Sequence, residues 1–405
     1  MNRTWHLPST FDSLRNLYFR WLWLGRMASS ATFQMGTVAQ GWLVYQLTGS
    51  ALALGYVGAG GSVATLLFSL YGGVICDRVS KRNLLLFART AMGINTLIIG
   101  ILISLGQIRI WHLVVNSILS GILFSFIMPA EQSIVSDLVD KSTLLNAFSL
   151  NSVGMGLMGI LSSAGAGLII EHFGVQGAYY LMALFYAWAV FTLSHLPPTA
   201  QGDVRSTSVW SDFIGGLKYL FRSPTLLALL GLALARVLFA MPYRTFMPKF
   251  ARDVMGFEAS GLGLLMSAPG LGGLASSLAL ASLGDYRDKG KLLMRAGIIT
   301  GIALIVFVST GNLPLVLIML TLVGITENTC MVMNSTLIQA HCESQFRGRI
   351  VSVYLMTWGL TPLGSLPAGA IADRFGVPIV VGMQGLLLAL SFGLLWYKSN
   401  VKDLQ

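Results

Sequence analysis

Residues 51–105 read ALALGYVGAGGSVATLLFSLYGGVICDRVSKRNLLLFARTAMGINTLIIGILISL, two apolar runs on either side of the basic turn Asp77-Arg78-Val79-Ser80-Lys81-Arg82. A helix needs about 20 apolar residues, at about 1.5 Å of rise each, to cross roughly 30 Å of hydrocarbon. Both runs meet that length, so the stretch reads as a membrane hairpin. The reading extends in both directions, with spans expected near 17–47, 51–75, 83–105, 110–136, 143–170, 176–196, 224–250, 258–282, 292–310, 313–340, 350–371 and 377–397. The fold class is therefore an all-α membrane protein of twelve transmembrane helices.

Composition agrees. Of 405 residues 55% are hydrophobic and only 10% charged, with a mean hydropathy of +0.73, whereas a soluble domain carries about 25% charged residues. Spans and short loops consume the length, which leaves no room for a soluble catalytic domain, and no nucleophile, base and orienter recur at catalytic spacing. An enzyme is not expected. The first stretch lacks a small-residue cleavage site after a short apolar core and reads as a retained helix. Cys76, Cys330 and Cys342 are odd in number and unclustered, and His6, His112, His172, His195 and His341 are scattered. Neither a disulfide framework nor a metal or cofactor is expected. Hydropathy lapses over 197–218, where Pro, Thr, Ser, Gln, Gly and Asp replace the aliphatic run. That lapse divides the chain into six-helix bundles at 1–196 and 224–405, joined by a cytoplasmic linker over 197–223.

Positive charge orients the spans, because short loops rich in Lys and Arg stay on the cytoplasmic side. With the amino terminus inside, eighteen Lys and Arg fall in inner segments and four (Arg109, Lys249, Arg252 and Arg374) in outer ones. Arg26, Arg89, Arg236 and Arg244 lie within or at the edge of spans. Both termini are thus expected in the cytoplasm, in a prokaryotic inner membrane. The net charge of +10 then reads as an orientation signal and as contact with anionic lipid, not as a nucleic-acid surface.

The halves repeat each other. An offset of 208 residues carries Leu54, Gly55, Asp77, Lys81, Leu84 and Gly93 onto Leu262, Gly263, Asp285, Lys289, Leu292 and Gly301. An offset of 202 carries Gly167, Phe173, Gly174 and Val175 onto Gly369, Phe375, Gly376 and Val377. A parallel duplication about an axis along the membrane normal places a substrate site near the midplane between two rocking bundles.

The turn Gly73-Val74-Ile75-Cys76-Asp77-Arg78-Val79-Ser80-Lys81-Arg82 resembles the G-x-x-x-D-R-x-x-R-R signature of the major facilitator superfamily. The segment from Trp42 to Gly55, Pro129-Ala130, Arg347-Gly348-Arg349 and Asp373-Arg374-Phe375-Gly376 are similar to the branch that includes the enterobactin exporter and macrolide efflux proteins. The resemblance covers essentially the whole chain. It implies that Gly73, Asp77, Arg78, Lys81 and Arg82 latch the outward-facing state, with Asp285 as a weaker copy in the other half. The plain alternative is a basic loop that only orients the protein. Gly154, Gly156, Gly159, Gly165 and Gly167 of the fifth span resemble the superfamily's antiporter motif without its proline, and close packing through small residues is the better reading. The basic fourth-span motif of proton antiporters is absent.

Ionisable groups inside spans are expensive and mark transport pathways by default. Arg26, Glu131, Arg236 and Glu327 stand on the first, fourth, seventh and tenth spans, which line the central cavity in the resembled fold. They are candidates for substrate and proton handling, with static ion pairing as the alternative, and an Arg236–Glu327 pair is the expected coupling centre. Arg89 and Arg244 read as interfacial anchors. Trp42, Tyr45, Phe239, Tyr243, Met331 and Trp358 are candidate lining of an apolar pocket suited to amphipathic substrates. The chain carries no G-x-x-x-x-G-K-[ST] loop to couple ATP. The reading is a monomeric secondary transporter, exporting an amphipathic small molecule of the drug or siderophore class by proton antiport and alternating access. A proton symporter or lysolipid flippase is the transport alternative, and a membrane sensor or channel the alternative outside transport.

Overall fold

The computed structural model describes residues 13–139, 143–197, 215, 218–283, 286–343 and 346–404. Among them every regular element is a helix. In chain order these are α1 (Leu17–Thr48), α2 (Ala51–Arg78), α3 (Lys81–Ser104), α4 (Ile110–Leu138), α5 (Leu144–Ser194), α6 (Pro224–Phe239), α7 (Pro242–Asp253), α8 (Ala259–Leu283), α9 (Lys289–Val308), α10 (Leu313–Ala340), α11 (Arg347–Met356), α12 (Thr361–Phe375) and α13 (Val377–Lys398). Nine helical stretches of the described residues are long and apolar enough to cross a membrane. One of them, α5, is two spans joined at Gly174, whose φ of 74° and ψ of 172° leave the helical region. With α1 and the composite eleventh span this gives the twelve expected crossings. We call the face where α1 begins and α13 ends the near face, and the opposite one the far face.

Local chemistry sets the ends. Gly49, at φ 64°, closes α1 in the left-handed conformation that glycine adopts without a Cβ penalty. Ser50 then opens α2, its hydroxyl accepting the Ala53 amide at 3.1 Å. Gly376, at φ 87° and ψ 153°, separates α12 from α13 in the same backbone conformation as Gly174. The 202-residue repeat is therefore visible in the backbone itself.

Two spans expected to be continuous are broken, and proline is the reason at both. Pro242 has no N–H for the Leu238 carbonyl four residues earlier. That carbonyl accepts instead from Gln384 Nε2 of α13 at 3.4 Å, and the chain breaks between α6 and α7. Pro362 likewise cannot donate to the Trp358 carbonyl, which accepts instead from the Thr361 amide and, at 2.6 Å, from its hydroxyl. Residues Thr357–Leu360 tighten into a 3-10 turn between α11 and α12.

The halves meet along two pairs of spans, α2 against α12 and the first arm of α5 against α8. In a membrane such contacts rely on small residues that let backbones approach. A Cβ at Gly167 would stand 2.4 Å from the Ala259 carbonyl oxygen and 2.9 Å from Ser260 Cα. At Gly369 it would stand 2.9 Å from the Ala51 carbonyl oxygen and 3.0 Å from Leu52 Cα. Gly263 meets the Ser163 carbonyl as Gly55 meets that of Ser365. The offsets of 208 and 202 residues map each contact onto the other, so one interface is built twice about the pseudo-twofold axis. The fifth-span glycines Gly167 and Gly159 serve this packing. Phe87, Leu161, Leu184 and Leu363, all more than 60% exposed, point outward to lipid.

Candidate transport site

Among the described residues each half contains one buried carboxylate held by arginine. In the first half Glu131 of α4 pairs with Arg89 of α3 through a short hydrogen bond and with Arg26 Nε of α1 at 3.4 Å. All three side chains are mostly buried. Farther along the same three helices, Asn116 of α4 accepts from Asn95 and donates to Gln40 at 3.0 Å. In the second half Glu327 of α10, 7% exposed, accepts from Arg244 of α7 at 2.9 Å.

The expected Arg236–Glu327 pair is therefore replaced by Arg244–Glu327. The proline break is the cause, because it resets the helix before Pro242 and turns Arg244 toward α10. Arg236 stays on α6, 5% exposed, beside Tyr354 and near Cys330. It has no carboxylate partner among the described residues; its guanidinium stands against the Tyr354 hydroxyl, and Nη2 makes no hydrogen bond of good geometry. Arg89, read as an interfacial anchor, is instead a buried partner of Glu131. A sequence signal for it existed: Leu85, Ala88, Arg89, Met92 and Thr96 form the inward stripe of α3 at helical spacing.

The middle of α10 binds its neighbours through polar side chains. Thr300 donates to Thr326 at 2.8 Å, Ser276 and Thr329 share a hydrogen at 2.9 Å, and Asn334 donates to the Leu229 carbonyl at 3.1 Å. Glu327 thus projects from a helix fixed on three sides.

Of the candidate pocket residues, Tyr243 is buried and Phe239, Met331 and Trp358 are half-buried. Trp42 lines a cleft of about 500 Å³ at the far face with Gln46, Glu171, Gln176 and Glu258. Tyr45 hydrogen-bonds to Asp253, and Lys249 stands over its ring. Of the candidate latch, Arg82 donates to the Leu193 and Ser194 carbonyls at 3.3 and 2.7 Å, fixing α3 to the end of α5. Arg78 closes α2 at the near face, exposed, and Lys81 opens α3. Asp285 lies outside the described residues, as does the side chain of Asp77, and Gly73 lies within α2.

Hydrogen bonds between the halves close the far face, a set that sequence reading missed. Asp373 of α12 accepts from Ser50 Oγ at 2.6 Å and from the Ala51 and Leu52 amides at 2.6 and 3.1 Å. It thereby caps the amino terminus of α2, where unpaired amides and the helix dipole favour an anion. Lys249 of α7 donates to the Gly49 carbonyl at 2.9 Å. A reciprocal pair of helix ends joins the bundles.

A family model described as transmembrane secretion effector matches residues 8–405. The chain is 25% identical over 362 residues to the staphyloferrin A transporter of Staphylococcus aureus, covering 87% of this chain and 89% of that one. It is 25% identical to the multidrug efflux pump Tap of Mycolicibacterium fortuitum, with 88% of each chain covered. To the enterobactin exporter EntS of Citrobacter koseri it is 24% identical over 91% of this chain and 85% of that one. Among solved structures, a bacterial homologue of the human lysosomal transporter Spinster superposes with a TM-score of 0.77 at 14% identity, covering 97% of this chain and 99% of that one. The nucleoside transporter NupG superposes with a TM-score of 0.74 at 14% identity, over 94% and 99%. Twelve crossings, a duplicated interface and a family match over nearly the full length lead to one assignment: the chain belongs to the transmembrane secretion effectors of the major facilitator superfamily.

Proposed function

We propose that the protein exports an amphipathic small molecule by alternating access, driven by protons moving the other way. The observation that carries this reading is the pair of buried carboxylates, Glu131 and Glu327, each held by arginine inside the membrane. A carboxylate paired with a cation is a site where a proton and an ion pair compete. The efflux and siderophore relatives support export of a small molecule. Charge sorting supports a cytoplasmic near face, with both termini inside a prokaryotic inner membrane and bundles over 1–196 and 224–405 joined by the linker 197–223. The Asp373 cap then holds the outside closed. Asp77, Arg78, Lys81, Arg82 and Asp285 serve the opposite closure at the inside, and the transporter works as a monomer.

Inverted membrane vesicles test this. An imposed acid interior should drive accumulation of at least one compound from a panel of dyes, siderophores and lysolipids, and a protonophore should abolish it. Accumulation that ignores the gradient, or conduction without saturation, would overturn proton-driven export in favour of a flippase or a channel.

A further inference from the structure

The charge of the transport site does not balance. Among the described residues its two centres hold four arginines and two ion-paired glutamates, so each half keeps one positive charge in excess. In the first half the excess is shared, since Arg26 and Arg89 both reach Glu131. In the second half it is concentrated on Arg236, because Arg244 takes Glu327. A guanidinium with no acidic partner among the described residues, 5% exposed at membrane depth, has lost water and gained no counter-charge there.

Its surroundings offer donors. The Trp358 indole nitrogen is buried without a hydrogen-bond partner, and Arg236 Nη2 and the Tyr354 and Tyr243 hydroxyls are buried with no partner of good geometry, Arg236 standing against the Tyr354 hydroxyl and Arg244 against that of Tyr243. An indole N–H and a guanidinium can only donate, and a phenol can donate. These groups sit at the two proline breaks: Arg236 in the last turn of α6, Tyr243 at the start of α7, and Tyr354 and Trp358 around the 3-10 turn of the eleventh span. The breaks are neighbours, with Gly364 packed on the Leu238 carbonyl. Discontinuous helices of this kind form substrate sites in secondary transporters.

We infer that Arg236 is the docking point for an anionic group of the cargo, and that the cargo class is an amphiphile bearing a carboxylate. The planar fork of the guanidinium matches a carboxylate through two parallel hydrogen bonds. Tyr354 and Trp358 supply further donors to its oxygens, while Phe239 and Met331 take the apolar body. The inference rests on the export reading for its meaning, but its test is binding and needs no transport.

The test uses the purified full chain and the probes 1-pyrenebutyrate, its methyl ester and 1-pyrenebutylamine, with binding followed by energy transfer from tryptophan to pyrene. The native protein should hold the acid roughly tenfold or more tighter than the ester or the amine. Arg236→Gln should erase that preference and leave the affinity for the ester unchanged, which also reports that the variant is folded. Arg236→Lys should restore part of the preference, and Tyr354→Phe should weaken binding of the acid a few-fold. A native protein with no preference for the acid, or an Arg236→Gln variant that keeps it, overturns the inference. If the acid binds as expected while vesicles accumulate nothing, the export reading fails and the anionic subsite stands.

Discussion

Glu131 and Glu327 occupy similar positions in the two halves but differ by one guanidinium. Protonating Glu131 means giving up ion pairs to both Arg26 and Arg89, whereas protonating Glu327 means giving up only the pair to Arg244. Arg244 also has 45% of its side-chain area uncovered by protein, so it is less tightly held than Arg89. Glu327 is therefore the carboxylate suited to cycling, and Glu131 the one suited to holding α1, α3 and α4 together. Glu327→Gln should abolish gradient-driven accumulation in vesicles and spare probe binding. Leaving Arg244 unpaired should cost up to the roughly 3–5 kcal/mol of a buried charge without its partner. Glu131→Gln should cost more stability, read as a larger drop in the thermal unfolding midpoint. Full accumulation by Glu327→Gln would move coupling to Glu131. At this scale the sequence was half legible: burying a charge marks Arg26, Glu131, Arg236 and Glu327 as unusual, and the stripe of α3 contains Arg89. Which arginine meets Glu327 was not legible, because that depends on a backbone break whose geometry is set by Gln384 on a distant span.

At the scale of helices, the far-face closure is a capping interaction between bundles. Asp373 contributes both carboxylate oxygens to the first turn of α2, and such a cap with its dipole component is worth about 1–2 kcal/mol. The other interface lacks the equivalent. Under the offsets of 202 and 208 residues Glu171 stands where Asp373 would be, and Glu258 where Ser50 would be. Glu258 turns to Arg252 instead, and the cleft of about 500 Å³ opens beside it. Both interfaces are close-packed at this face, but one carries the cap and the other a cleft in its place. Asp373→Asn keeps the shape and one acceptor but loses the charge, so the ratio of closed to open states should fall roughly 5- to 30-fold. Electron–electron distance measurements between spin labels at Leu105→Cys and Gly311→Cys, on loops of opposite halves, should show a longer-distance population in the variant. An unchanged distribution would mean that the glycine contacts alone hold this face shut. Spans, caps and the duplication were legible because helix length, glycine and charge are local signals. The Asp373 cap was not, since it joins residues more than 300 positions apart in the chain.

For the molecule as a whole, orientation decides what every other feature means. If the near face is cytoplasmic, the Asp373 cap closes the external side, the anionic cargo enters Arg236 from the cytoplasm, and an acid exterior supplies the protons. If it is external, each of these reverses. The native cysteines do not decide the matter, because Cys76, Cys330 and Cys342 are all buried, and protection of Cys76 from an impermeant reagent is expected from either side. Better reporters are Gly311, in the far-face turn between α9 and α10, and Gly348, in the first turn of α11 at the near face. A Cβ at either meets nothing within 4 Å, so a cysteine there fits without displacing its neighbours. Eighteen Lys and Arg against four is a bias that the insertion machinery reads as cytoplasmic. An impermeant maleimide applied to intact cells should label Gly311→Cys rapidly and leave Gly348→Cys unmodified until the membrane is permeabilised. The reverse pattern would place the Asp373 closure inside the cell and turn the exporter into an importer, with the anionic subsite at Arg236 unchanged but filled from the opposite side.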